Sequence, residues 1–231
     1  MRTRQEIKAI GKERFKANYW TCVLAIVLVG VVLGVISGIG NIGAVTDMES
    51  GEVQPGPLSG VMSIVSLIVT GPLTIGLCSF FVKNIYGNQE LTAAYPIVSC
   101  KENFGRKLGG YLWMSLFTGL WSLLFVIPGI IKYFSYAMTP YILSDCPNVQ
   151  AKDALKLSMR IMAGHKGELF VFYLSFIGWG ILTALTFGIL GLLYVNPYMN
   201  SAAAVWYLEV REDALRRGVI TLGQLEGAEP V

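Results

Sequence analysis

Residues 108–146 read LGGYLWMSLFTGLWSLLFVIPGIIKYFSYAMTPYILSDC, and Lys132 and Asp145 are the only charged residues among them. Two apolar runs, Leu108 to Ile127 and Gly129 to Ser144, meet at Pro128 and Gly129. That pair disfavours a continuing helix, because proline lacks an N–H and glycine lacks a Cβ. At about 1.5 Å rise per residue, the first run is long enough for a hydrocarbon core of about 30 Å and the second nearly so. The stretch reads as a membrane hairpin, and the rest of the chain repeats its plan.

Composition points the same way. The 231 residues are 54% hydrophobic and 14% charged, with mean hydropathy +0.57, whereas a soluble domain carries about a quarter charged residues. Backbone polar groups in lipid must bond within their own segment or barrel, and continuous apolar runs of about 20 residues select helices over alternating barrel strands. Cys22, Cys78, Cys100 and Cys146 have no CxxC spacing and fall in or beside apolar runs, which reads as buried or cytoplasmic thiols rather than a disulfide or zinc site. Nucleic acid is not indicated, since no basic patch with interleaved aromatics lies outside the apolar segments.

The N-terminus predicts a basic amphipathic helix lying on the membrane surface. Thr3 and Glu6 fit a capping box, and Ile7, Gly11, Phe15 and Tyr19 follow at steps of four. Six spans are expected at about 19–39, 58–82, 108–127, 129–144, 168–187 and 189–210. The first is longer than the apolar core of a signal peptide, about 7–15 residues, and is read as retained. Gly30, Gly34 and Gly38 form a GxxxG ridge in it, either a close-packing face or ordinary glycine enrichment of membrane helices. Gly71-Pro72 predicts a kink in the second span, its freed carbonyl met by neighbours or by Thr70 and Thr74. A short interfacial helix is expected around Leu91, Tyr95 and Val98, and an amphipathic one over Val149 to Ala163. Residues 1–217 read as a single integral membrane domain and 218–231 as a disordered cytoplasmic tail.

Orientation follows from the basic residues. The loop from Asn41 to Pro57 carries Asp47, Glu49 and Glu52 and no cation, and seventeen of the eighteen Lys and Arg fall on the side of the N-terminus, leaving Lys132 across the membrane. That predicts a plasma-membrane protein with both termini cytoplasmic. Three segments share one plan of interfacial helix, basic elbow, span, proline and second span. The elbows are Phe15–Asn18, Phe104–Lys107 and Met162–Lys166, and the prolines, expected as helix breaks, are Pro72, Pro128 and Pro197. The fold class is all-α, a polytopic bundle of six transmembrane helices in three hairpins with interfacial amphipathic helices.

GPLTIGLCSFF from Gly71, LWSLLFVIPGIIKYFSYAMTPYIL from Leu120, AKDALKLSMRIMAGHKGELFVFYLSFIGW from Ala151 and NPYMNSAAAVWY from Asn196 carry a family resemblance. Over most of its length the chain resembles the bacterial membrane family catalogued as domain of unknown function 975. It departs in the acidic loop, Thr46 to Gln54. The resemblance implies a fold and a membrane location, and no reaction.

Residues that could carry chemistry are few. No ionisable residue is placed at mid-bilayer, where a charge is costly and marks function. Lys132, beside Tyr133 and Tyr136, reads as snorkelling at the outer interface, against a lipid-phosphate or substrate contact. His165, the single histidine, lacks partners for a metal. With Arg106, Lys107 and Lys166 it forms a candidate headgroup contact, against plain solvation. Asn196, Asn200 and Ser201 around Pro197 form a candidate intramembrane polar site for a cation or solute, against hydrogen bonds that hold the bundle together. Trp113, Trp121 and Trp179 need no cofactor, and Trp113 and Trp179 read as interfacial anchors or bundle filler. No Walker loop, GxGxxG, HExxH or GxSxG occurs, and no cofactor is implied. The expected function is non-catalytic: a scaffold or accessory subunit for other membrane proteins, or a responder to the anionic inner leaflet. The alternative is a small permease or exporter component, with a lipid-processing enzyme behind both. The oligomeric state is left open.

Overall fold

The computed structural model describes residues 2–42, 44–46, 53–87 and 91–231. The acidic residues Asp47, Glu49 and Glu52 lie outside them. Apart from a two-residue antiparallel pair, Val45–Thr46 with Val53–Gln54, the described regular structure is helical. The helices are α1 (Arg4–Ala17), α2 (Tyr19–Gly40), α3 (Ser59–Ile85), α4 (Tyr95–Lys101), α5 (Phe104–Leu124), α6 (Val126–Tyr136), α7 (Thr139–Asp145), α8 (Ala151–Ile161), α9 (Lys166–Leu174) and α10 (Ile177–Leu185). A π turn, Gly191–Val195, leads into α11 (Asn196–Arg216), and α12 (Leu222–Glu226) closes the chain.

Among the described residues three helical stretches are long and apolar enough to cross a membrane: Tyr19–Gly40, Ser59–Ile85, and the path Lys166–Leu185 formed by α9 and α10. The other expected spans differ from the sequence reading for local reasons. The second hairpin reverses at Phe125, which is extended (φ −155°, ψ 135°), and not at Pro128. Pro128 falls in the first turn of α6, where its missing N–H would have had no intrahelical partner. Gly129 lies against Ser122, and a Cβ there would come 2.7 Å from the Ser122 Cα. The descending arm then stops at Tyr136 because Pro140, in the first turn of α7, cannot donate back to it.

Pro72 behaves differently: α3 continues through it. Its missing N–H leaves the Ile68 carbonyl without a helix donor, and the two threonines bond elsewhere, Thr70 Oγ1 to the Ser66 carbonyl (2.6 Å) and Thr74 Oγ1 to that of Thr70 (2.8 Å). Pro197 stands in the first turn of α11, directly after the π turn.

The core is built around α11, whose Ser201, Ala202, Ala204, Trp206, Tyr207 and Val210 are fully enclosed. Along it lies α1. The expected stripe is correct, but its partner is protein: Ile7 and Phe15 are wholly buried, Phe15 meets Tyr194 edge-on at 5.5 Å, and Arg2 pairs with Glu209 at 3.0 Å. Its capping box, Thr3 with Glu6, is present. Lys8 ties the same helix to Ser175 (2.8 Å) and lies over the Phe176 ring. The tail is folded as well. Thr221 caps α12 with Gln224, and Ile220 and Leu225 are buried.

Burial in all three hairpins falls from base to tip. In the first, Cys22, Val23 and Ala25 of α2 and residues Leu73 to Val82 of α3 join the core, whereas Val31, Val35, Ile39, Val61 and Ile64 are exposed. In the second, Gly110 and Met138 are buried while Leu123, Leu124 and Phe125 are not. In the third, Leu169 and Phe172 are buried, and Phe187 at the tip is 97% exposed. Gly30, Gly34 and Gly38 belong to the exposed zone; a Cβ on any of them would meet nothing within 4 Å.

Candidate functional site

Two of the four residues expected at lipid headgroups start from unfavourable local positions. Arg106 and Lys107 occupy the first turn of α5, where the helix dipole disfavours positive charge. They serve the C-termini of neighbouring helices instead. Arg106 donates from Nη1 to the Cys146 (3.0 Å) and Val149 (2.8 Å) carbonyls and from Nη2 to that of Leu143 (2.6 Å), in and just beyond the end of α7, where helix carbonyls run out of donors; the Cys146 carbonyl also accepts from the Val149 N–H (3.3 Å). Lys107 is buried and donates to the Ser99 carbonyl of α4. Burial pushes the pKa of both side chains down.

His165 is also engaged. Its Nδ1 lies 3.3 Å from Glu168 Oε2 and its Nε2 3.1 Å from Asp213 Oδ2, and Arg217 Nε lies 2.7 Å from the same Asp213 oxygen. Burial would raise the Asp213 carboxyl, but the His165 hydrogen bond and the Arg217 charge outweigh it and hold the pKa below the usual value. Lys166, half-buried at the start of α9, is the remaining member of the four.

The polar residues around Pro197 do not share a site. Asn196 is exposed, Asn200 donates to the Asn196 carbonyl at 2.8 Å as a side chain one helical turn on, and Ser201 is wholly buried with an unpartnered hydroxyl facing the core. A half-buried polar centre links α7 to α11, where Tyr207 donates to Asp145 Oδ2 (2.9 Å), Arg211 pairs with the same carboxylate, and Tyr141 stacks on Tyr207 at 5.3 Å. Burial, with the adjacent Asp145 charge, pushes the neighbouring Cys146 thiol up to about 11. Among the described residues no group of three or more His, Cys, Asp or Glu could hold a metal ion.

A concave feature does form where α5, α6 and α8 meet. Trp113, Phe117 and Trp121 follow each other at helical steps along α5, and α8 faces them with Lys152, Leu155, Lys156 and Met159. From α6 come Lys132 and Tyr136, closing a groove of about 430 Å³. Trp113 and Phe117 stack at 5.5 Å. Lys152 Nζ sits 5.0 Å over the Trp113 ring, and Lys132 Nζ 5.1 Å over Trp121 and 5.9 Å over Tyr136. Lys132 therefore shares a wall with Lys152 and Lys156, where the sequence reading had set it apart from the other cations. The short α6 is the reason, since it brings Lys132 down toward α8. The amphipathic pattern of α8 was legible in sequence, but nothing local said that it faces Trp113, Phe117 and Trp121 of α5.

The family described as "Protein of unknown function (DUF975)" matches residues 1–135 and 123–214. Neither the curated proteins nor the solved structures provide a match.

Proposed function

The chain belongs to the DUF975 family of proteins of unknown function, and on that footing we propose that it is an integral membrane protein acting by binding. In this reading its apolar segments enter the plasma membrane as three hairpins from one side, the termini stay at the cytoplasmic base, and the protein serves as a scaffold or accessory subunit, or answers to the anionic inner leaflet. The carrying observation is the gradient of burial: each hairpin is anchored in the α11 core at its base and exposes Leu, Ile, Val and Phe toward its tip. A contiguous exposed apolar surface of that extent needs lipid or a partner to cover it. Cations concentrated toward the base agree with a cytoplasmic placement.

Binding is preferred to transport because the residues expected to line a path are separated. Pro128 stands beside the exposed tip of the second hairpin, Pro72 and Pro197 are buried in α3 and α11, and Asn196 and Ser201 point to different surroundings. Catalysis is not part of the proposal, as no carboxylate, imidazole and hydroxyl converge among the described residues of the groove.

Reconstituted vesicles test both parts. A membrane-impermeant thiol reagent should label single cysteines placed at residues 12 and 156 from the same side, and one at 187 should not react from that side. Labelling of residues 12 and 156 from opposite sides overturns the three-hairpin placement. Selective release of trapped solutes by correctly inserted protein overturns the binding role in favour of a permease.

A further inference from the structure

The groove between α5, α6 and α8 joins two features that rarely serve one purpose in a folded interior: an aromatic floor, and cations without counter-charges. Lys156 is satisfied by Asp153 at 3.0 Å, but among the described residues no carboxylate lies within ion-pair distance of Lys132 or Lys152. Their ammonium groups rest on Trp121, Tyr136 and Trp113. A ring quadrupole only partly replaces the hydration that a cation gives up beside apolar walls. The volume, about 430 Å³, suits one small amphiphile, since such sites run from about 300 to 1,000 Å³.

We infer that this groove is a site for one anionic phospholipid, its phosphate held in the combined positive field of Lys132 and Lys152, which stand over opposite ends of the Trp113–Phe117–Trp121 stripe, and an acyl chain laid on that stripe. The inference rests on the membrane placement proposed above and adds a particular lipid chemistry and address to it. Charge complementarity selects a phosphate without a compensating choline, because a zwitterionic head brings its own cation against the lysines. The aromatic stripe selects a chain-bearing ligand over a soluble anion, which would leave Phe117 and Trp121 facing water. The floor also continues into lipid-exposed surface: Leu116, Leu120 and Leu123 stand exposed on the same helix. A chain leaving the groove would thus stay in apolar surroundings. The site is distinct from the Arg106, Lys107 and His165 positions, which are held by internal partners.

The test uses full-length protein in nanodiscs of phosphatidylcholine with increasing phosphatidylglycerol, one lipid or the other carrying brominated chains. A Trp20→Phe/Trp179→Phe background leaves Trp113 and Trp121 in the groove and Trp206 in the core. Brominated phosphatidylglycerol should quench at much lower mole fraction than brominated phosphatidylcholine, with a preference of roughly thirtyfold for two lysines at an anionic head. Lys132→Gln/Lys152→Gln should abolish the preference with the melting temperature unchanged, and Lys12→Gln/Lys101→Gln, an equal change of charge at exposed positions, should retain it. Equal quenching by the two lipids, or a preference that survives Lys132→Gln/Lys152→Gln, overturns the site. Inorganic phosphate at millimolar concentration that relieves quenching overturns the lipid in favour of a free anion. Groove protection seen only in native membranes, without lipid preference in nanodiscs, overturns it in favour of an acidic protein partner. Protein that fails to enter nanodiscs or float with vesicles instead overturns the membrane placement itself.

Discussion

Gly11 of α1 lies on the backbone of Ala202 in α11, so close that a Cβ at Gly11 would stand 2.6 Å from the Ala202 Cα. Helix α1 is held there by shape, with Ile7 and Phe15 buried on either side of the contact. Overpacking of this kind costs about 1–3 kcal/mol and occasionally more. Gly11→Leu should sit at the upper end, about 3 kcal/mol, because α11 is enclosed and cannot retreat. Gly34→Leu, at a position where an added Cβ meets nothing within 4 Å, should stay within about 0.5 kcal/mol of the parent. Thermal unfolding in the same detergent or lipid compares the two, and equal losses would place α1 elsewhere.

Arg106 should be irreplaceable by lysine. Its guanidinium serves three carbonyls, those of Leu143, Cys146 and Val149, from two nitrogens, and an ammonium cannot reproduce that planar fork. The Cys146 carbonyl keeps the Val149 N–H (3.3 Å), but those of Leu143 and Val149 lose their side-chain donor, and each buried acceptor left without one costs about 1–3 kcal/mol. Arg106→Ala and Arg106→Lys should both lower the melting temperature and raise hydrogen exchange over residues 143–150. Full rescue by lysine would show that charge alone mattered.

The Cys146 thiol should resist alkylation in the folded protein. With its pKa pushed up to about 11 by burial and by Asp145, only about one molecule in a thousand carries the reactive thiolate at pH 8. Cys100 is also raised by burial but stands only half-buried, so it should react first. Peptide mass mapping after timed iodoacetamide treatment reads the order, and unfolding should bring Cys146 up to an ordinary rate.

Acid should loosen the end of α11 through Asp213. A carboxyl whose folded pKa is depressed contributes stability that is present above the ordinary carboxyl range and is lost as pH falls through it. Asp213 is held down by His165 and Arg217 against the opposing effect of burial, so stability should fall as the solution is acidified below about pH 4. Asp213→Asn should flatten that limb of the stability curve. A melting curve against pH for the two proteins measures it, and an unchanged acid limb would remove Asp213 from the account.

Much of the architecture was written locally. Long apolar runs chose helices because lipid or a dry core leaves the backbone no partners except its own. The capping box at Thr3 and Glu6 started α1 at the expected residue, and the stripe Ile7–Gly11–Phe15 announced a buried face. What that face would meet was not local: a surface helix and a helix buried on protein carry the same periodicity. Proline positions misled for a similar reason, since Pro72 passes inside α3 whereas Pro128 begins a helix, a difference decided by what surrounds each backbone.

The sequence by itself determined a helical chain with exposed greasy segments and cations gathered at their ends, because hydropathy and charge are properties of each residue and need no neighbour in space. Tertiary structure alone decided that Arg106, Lys107 and His165 spend their polar groups inside the molecule. It alone placed Lys132 and Lys152 along one tryptophan-floored groove, because the joint lining by residues 113, 132 and 152 depends on where α5 turns back at Phe125 and how α8 returns beneath it.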